Sequence, residues 1–124
     1  MLAAHNAERT NAGLGLLALD PGLSSIARYR AADMASKGYF SHYAPDERNV
    51  FDLMAAAGIP TRVASENIAY NTYPQATSMT VAMTGFMNSA GHRKNILDPD
   101  FRKAGIGVSQ RGEEIYYCVV FSGQ

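Results

Sequence analysis

The chain has 124 residues, and its hydrophobic fraction of 47% with a charged fraction of 18% is typical of a globular protein. Its 11 Lys and Arg residues balance its 11 Asp and Glu residues, so the formal net charge is zero. A neutral chain without a basic cluster is a poor candidate for non-specific nucleic-acid binding, which depends on neutralising phosphates, or for binding anionic membrane surfaces.

The first part of the chain predicts two helices within what we expect to be one domain over residues 1–124. The pattern before Gly13 is short and amphipathic, with His5 on the polar side and so predicted at the surface. In the second helix Asp20 can cap the first turn, Pro21 suits that turn and Gly38 suits the end. Its apolar face repeats at helical spacing and consists of Leu23, Ile26, Ala27, Ala31 and Met34.

The middle of the chain predicts two further helices separated by irregular segments. Polar residues 39–49 form a loop that holds His42, and residues 50–60 form a third helix. Residues 61–74 have no clear period and indicate an extended or irregular connection. Residues 75–89 form a fourth helix whose apolar face is typical of a core and consists of Met79, Ala82, Met83, Phe86 and Met87.

The C-terminal part predicts a β-hairpin. Residues 103–110 and 114–122 are rich in β-branched and aromatic residues, with a short turn between them. In the second strand both the odd- and the even-numbered residues are apolar, so both of its faces should be buried. We therefore expect helices on both faces of the sheet and a buried Cys118. Cys118 is the only cysteine, which excludes an intrachain disulfide. No apolar run is long enough to span a bilayer, and no signal peptide is recognisable, so the signal of an exported protein would lie outside this sequence.

Three residues stand out as candidates for chemistry: His42, Glu66 and His92. Two neutral imidazoles are good ligands for a divalent metal such as zinc. A nearby carboxylate could ligate that metal, hold a ring N–H, or act as a general base on metal-bound water. The same three side chains could instead form a buried hydrogen-bond network without any ligand. Spacing alone leaves these alternatives open, because the two histidines are far apart in sequence.

Several motifs occur in order along nearly the whole chain, and together they resemble the CAP superfamily, also called the sperm-coating-protein-like (SCP-like) domain. The resemblance is to the bacterial branch, which lacks the eukaryotic disulfides. The motifs are LLALDPGLSSIARYRAADMASKGYFSH (16–42), SENIAY (65–70), GFMNSAGHRKNIL (85–97), FRKAGIGV (101–108) and YYCVVF (116–121).

The resemblance implies an α+β fold, a three-layer α-β-α sandwich with a small, mainly antiparallel central sheet. It also implies a cleft lined by two histidines and two glutamates, in which the histidines of several members bind zinc or another divalent metal. By motif, the histidines are His42 and His92 and one glutamate is Glu66. Ser89 stands at the position of the second glutamate, and Phe86 at that of a tryptophan in eukaryotic members. We expect structural roles around the cleft for Asn67, Arg93 and Asn95.

By resemblance, we expect a secreted, extracellular or cell-envelope protein. Its cleft would bind a divalent metal, with zinc the expected cofactor, and an unidentified ligand or cell-envelope partner. One alternative is a metal-dependent hydrolase or protease with Glu66 as the general base, since a two-histidine site leaves coordination positions open. Another is lipid or sterol binding, which ranks last because the apolar helices are needed for the core.

Overall fold

The computed structural model describes residues 1–123 and contains both helices and strands. The five helices are α1 Leu2–Asn11, α2 Pro21–Lys37, α3 Val50–Ala56, α4 Gln75–Asn88 and α5 Ala90–Ile96. The four strands are β1 Ala18–Leu19, β2 Ala64–Asn71, β3 Lys103–Arg111 and β4 Glu114–Ser122. None of the helices in residues 1–123 has the length and hydropathy needed to cross a membrane.

The strands form one sheet in the order β1-β3-β4-β2. The predicted hairpin is confirmed, because β3 and β4 pair antiparallel across a turn at Gly112, whose φ is +58°. β2 pairs antiparallel with β4 over its whole length, with Glu66 opposite Val120. The two-residue β1 is parallel to β3, so the sheet is mainly antiparallel as predicted.

The two faces of β4 pack against different helices. Tyr116, Cys118 and Val120 join a core with α2 and α3. Val119 and Phe121 join a second core with residues of α1, α4 and α5. Successive side chains of a strand point to opposite faces, and in β4 the side chains on both faces are apolar. The strand therefore contributes to both cores. The predicted α+β fold with three α-β-α layers is therefore confirmed.

Two glycines let α2 lie directly against β3. A Cβ on Gly105 would overlap the backbone of Leu23, and a Cβ on Gly107 would overlap the backbone of Ala27. The helix begins and ends as predicted: the Asp20 side chain accepts a hydrogen bond from the Leu23 N–H, and Gly38 ends it in the left-handed region. This close contact fixes the position of the helix beneath the site described below.

The predicted surface position of His5 is wrong, because its side chain is fully buried. The buried face of α1 is polar and consists of His5 and Arg9, which lie one turn apart. The Arg9 guanidinium donates hydrogen bonds to the carbonyls of Gly15, Ile96, Asp98 and Phe101. Arg9 therefore joins the loops on either side of the second core. Helical periodicity assigns polar residues to the solvent side and so does not predict such a buried contact.

The remaining differences from the sequence prediction are small. The connection over residues 61–74 contains the regular strand β2, and the short elements β1 and α5 were not predicted. On the Met-rich face of α4, Met83 and Phe86 are buried as expected, whereas Met79 is 38% exposed. Cys118 is fully buried, as predicted.

Candidate functional site: a two-histidine cleft

A cleft of about 480 Å³ opens between the loop before α3, strand β2 and helix α5. His42 comes from the loop, Glu66 from β2, and Ser89 and His92 from the α4–α5 junction. The cleft thus brings together the four residues named from the sequence. Its other lining residues are Tyr43, Asn49, Val50, Phe51, Ser65, Asn67, Gly91 and Asn95.

Glu66 holds His42 through one short contact. The His42 Nδ1 lies 2.7 Å from the Glu66 Oε1. An ionised carboxylate only accepts hydrogen bonds, so the imidazole carries a proton on Nδ1, and Nε2 is the ring nitrogen left for a further ligand. The Glu66 side chain is only 2% exposed, whereas that of His42 is 55% exposed. A buried residue therefore orients an accessible one.

Arg30 and Cys118 complete the surroundings of the Glu66 carboxylate. The Arg30 guanidinium donates to both carboxylate oxygens, at 2.8 and 3.1 Å, and the Cys118 thiol lies 3.3 Å from Oε2. Burial alone would raise the pKa of Glu66, but the hydrogen bonds from His42 and Arg30 and the charge of Arg30 outweigh it, so the pKa lies below its ordinary value. Glu66 is therefore a buried, ionised carboxylate with both oxygens occupied.

Arg30 also holds the loop that carries His42. Its guanidinium donates to the Ser41 carbonyl at 2.6 Å and to the Tyr39 hydroxyl at 3.1 Å. The Tyr39 hydroxyl in turn donates to Asp33 at 2.6 Å. The Arg30 side chain is 1% exposed, so the helix α2 supplies a buried cation that fixes both Glu66 and the backbone beside His42.

Arg30 is the main site residue that the sequence interpretation missed. It falls among the apolar positions of α2, one turn from both Ile26 and Met34. A charged residue at a core-facing position of an amphipathic helix is uncommon unless it is paired, and that signal was present in the sequence.

Ser89 holds the second histidine. The His92 Nδ1 lies 2.7 Å from the Ser89 Oγ, and the ring centroid lies 5.2 Å from that of Phe86. Burial lowers the pKa of His92, and the charge of the nearby His42 lowers it further. The neutral imidazole is therefore favoured, which is the form that binds metal.

Two of the three residues for which we expected structural roles connect β2 to α5. The Asn67 amide donates to the His92 carbonyl at 3.0 Å, and the Asn95 amide donates to the Asn67 side-chain oxygen at 2.8 Å. Asn67 is fully buried. Arg93 makes only a long contact of 3.4 Å to the Met87 carbonyl. Asn67 and Asn95 thus fix the backbone of the helix that carries His92.

The donor set of the cleft fits a metal only in part. Each histidine has a partner on Nδ1, and within residues 1–123 neither Nε2 has a hydrogen bond. A partner on one ring nitrogen is the usual arrangement for a histidine that binds metal through the other. However, no group of three or more His, Cys, Asp and Glu side chains in the described chain is placed to hold an ion. Two protein ligands would therefore leave the other positions to water or a bound molecule.

The fold and the site together define the class of this protein. It is an α-β-α sandwich with a cleft in which hydrogen bonds orient two histidines. The chain belongs to CAP, the cysteine-rich secretory protein family, whose family model matches residues 2–122.

Bacterial proteins are among its relatives. The chain is 44% identical over 107 residues to protein YkwD of Bacillus subtilis (strain 168), a match that covers 86% of this chain and 40% of YkwD. An extracellular SCP-domain protein from Bacillus anthracis str. Ames has a crystal structure with a TM-score of 0.84 and 32% identity, covering 97% of this chain and 38% of that one. The chain therefore spans about two fifths of the length of these relatives.

More distant members share the fold. The crystal structure of NaASP2 with Zn²⁺ has a TM-score of 0.71 and 14% identity, and the match covers 98% of this chain and 76% of that one.

Proposed function

We propose that this chain is the extracellular CAP domain of a bacterial protein and that its cleft binds a divalent metal ion through the Nε2 atoms of His42 and His92. Two hydrogen bonds carry this proposal, one from the His42 Nδ1 to Glu66 and one between the His92 Nδ1 and Ser89, because they orient both rings and leave one nitrogen of each available. Water, a ligand or a partner protein would fill the remaining coordination positions.

Zinc is the metal that we propose. Imidazole is a good zinc ligand, and the favoured neutral form of His92 suits metal binding at neutral pH. A protein with the same fold, NaASP2, has been crystallised with Zn²⁺. Copper, nickel and cobalt also bind imidazole, and metal availability selects among them.

We propose that Glu66 orients His42 and does not act as a general base. Its two oxygens already accept hydrogen bonds from His42, Arg30 and Cys118. Taking a proton from water would require one of these contacts to break, and a lowered pKa makes the carboxylate a weak base. A ligand-binding role therefore has more support than metal-dependent hydrolysis.

The proposed extracellular location has independent support. The Bacillus anthracis relative, 32% identical, is described as an extracellular protein. We propose that the bound ligand or partner belongs to the cell envelope or its surroundings.

The test is calorimetric titration of metal-stripped protein with zinc at neutral pH, comparing the wild type with a His42→Ala, His92→Ala double variant. We expect saturable binding of about one zinc ion in the wild type and none in the double variant. Circular dichroism of both proteins controls for folding. No binding in the wild type, or equal binding in the double variant, would overturn the metal proposal and favour a structural hydrogen-bond network.

A further inference from the structure

The two-histidine cleft continues past His92 into a second groove of about 330 Å³. The two cavities share Ser89 and His92, so these residues lie between them. The second groove runs along β2 and α4, and includes Phe40, Tyr70 and Phe86 in its lining. We call these two adjoining cavities together the elongated depression; His92 lies between them, and His42 lines the first.

Exposed aromatic rings lie on both sides of the histidines. Tyr43 and Phe51, 59% and 39% exposed, line the cleft, and Phe40 and Tyr70, each 46% exposed, line the second groove. Other exposed rings lie outside these cavities, but these four line two adjoining cavities and together offer an apolar surface to a ligand.

The rings of the second groove are held in place from below. Tyr70 stacks on the buried Tyr116 with centroids 5.3 Å apart, and Phe40 contacts Tyr70 edge to face at 4.8 Å. These contacts fix the two rings before any ligand arrives, which lowers the entropic cost of binding.

Apart from the two histidines, the polar groups of the depression are uncharged except for one carboxylate, whose charge is balanced. Glu66 is the only Asp, Glu, Lys or Arg among the described lining residues of both cavities, and Arg30 balances its charge from behind. Amides and hydroxyls line the cleft at Asn49, Asn95 and Ser65. They offer both donors and acceptors but no fixed charge.

From this combination we propose that the elongated depression binds an uncharged glycan, a short chain of pyranose rings. A pyranose presents C–H groups on its faces, which are attracted to the negative face of an aromatic ring, and hydroxyls on its edge, which match amides and hydroxyls. Anionic glycans and nucleic acids are usually bound by Lys or Arg, and the described lining residues of the two cavities include neither. This inference rests on the proposed use of the cleft as a ligand site, but the aromatic contacts do not require the metal.

The test is an NMR titration of the ¹⁵N-labelled protein with three uncharged probes: cellotetraose, mannotetraose and tetra-N-acetylchitotetraose. We expect at least one probe to shift the amide signals of residues in the two cavities, with saturation in the millimolar range or below. A Phe40→Leu, Tyr43→Leu variant keeps apolar volume but removes one aromatic face on each side of the histidines. We expect its affinity to fall by about fivefold for each ring lost.

The matched control is Tyr73→Leu, since Tyr73 is 53% exposed and lines neither cavity. This control should bind the probe as the wild type does, and the double Leu variant should still bind zinc. Absence of binding for all three probes, or unchanged affinity in the double Leu variant, would overturn the glycan proposal. Loss of zinc binding in the histidine double variant is scored separately, so the metal proposal and the glycan proposal fail independently.

Discussion

Glu66 and Arg30 form a buried ion pair, in which each residue neutralises the charge of the other. Arg30 and Glu66 are 1% and 2% exposed, so removing one charge leaves the other buried without a partner. The same carboxylate orients His42 at 2.7 Å. One residue therefore serves both the stability of the α2–β2 contact and the geometry of the cleft.

A Glu66→Gln variant should reveal both roles. We expect the free energy of unfolding to fall by about 3 kcal/mol, because Arg30 loses its counter-ion. We also expect zinc affinity to fall roughly 10- to 100-fold, because a carboxylate no longer holds the His42 ring. Urea unfolding and calorimetry measure the two effects. Glu113→Gln, in the exposed β3–β4 turn, is the control and should change neither quantity.

His5 should make stability depend on pH. Burial lowers its pKa below the ordinary value of 6.5, and this outweighs the effect of its hydrogen bond to the Met1 carbonyl. The unfolded chain therefore takes up a proton more readily than the folded protein as pH falls through 6.5, and stability decreases in that range. Its Nε2 has no hydrogen-bond partner within residues 1–123.

We expect a His5→Leu variant to show a smaller loss of stability than the wild type between neutral and mildly acidic pH. Denaturant unfolding at a series of pH values measures this difference in slope. His92 also has a lowered pKa and should account for part of the slope that remains. An identical slope in His5→Leu and wild type would contradict the assignment to His5.

At the scale of elements, the contact between α2 and β3 constrains the site, because α2 carries Arg30. Gly107 has no room for a Cβ against the Ala27 backbone, so helix or strand must move to admit one. We expect Gly107→Ala to lower the free energy of unfolding by about 3 kcal/mol.

The comparison for this variant is Gly85→Ala in α4, where a Cβ would meet nothing within 4 Å. That change should raise the free energy of unfolding by roughly 0.5–1 kcal/mol, because alanine favours helix over glycine. Parallel urea titrations test both variants. Similar effects of the two changes would show that α2 does not depend on the glycine contact.

The elements that the sequence predicted well are those whose apolar period matches their packing. Examples are α2, with its predicted caps, and β4, which is apolar on both faces; both occur where expected. The position of α1 in the sequence was predicted correctly, but its buried face was not. That face consists of His5 and Arg9, and the burial of Arg9 is explained by the carbonyl groups that it contacts. Those partners lie about 90 residues away, and local pattern carries no information about them.

At the scale of the whole molecule, the candidate site is assembled from three separate parts of the chain. The resemblance predicted His42, Glu66 and His92 as members of one cleft, whereas spacing alone left that open. The neighbours that orient them come from other elements: Arg30 from α2 and Cys118 from β4. Such contacts depend on how the layers pack together. The apolar pattern of a sequence predicts which apolar residues are buried, but not which polar residues meet between layers.

A ligand that binds only the folded protein should stabilise the whole chain by mass action. We therefore expect the thermal unfolding midpoint of the wild type to rise with zinc concentration, by several degrees when zinc exceeds its dissociation constant about 100-fold. The His42→Ala, His92→Ala variant should show no such rise in differential scanning calorimetry. An equal rise in both proteins would place the bound zinc elsewhere.

Cys118 gives this molecule an internal reporter. The thiol is fully buried in β4 against the Glu66 carboxylate, and burial together with that negative charge raises its pKa, so it is unreactive in the closed protein. A thiol-specific dye can reach it only when the layers around β4 open or the whole protein unfolds. The labelling rate therefore measures how often β4 becomes exposed, and because the sequence has no other cysteine, every labelling event reports on this one position.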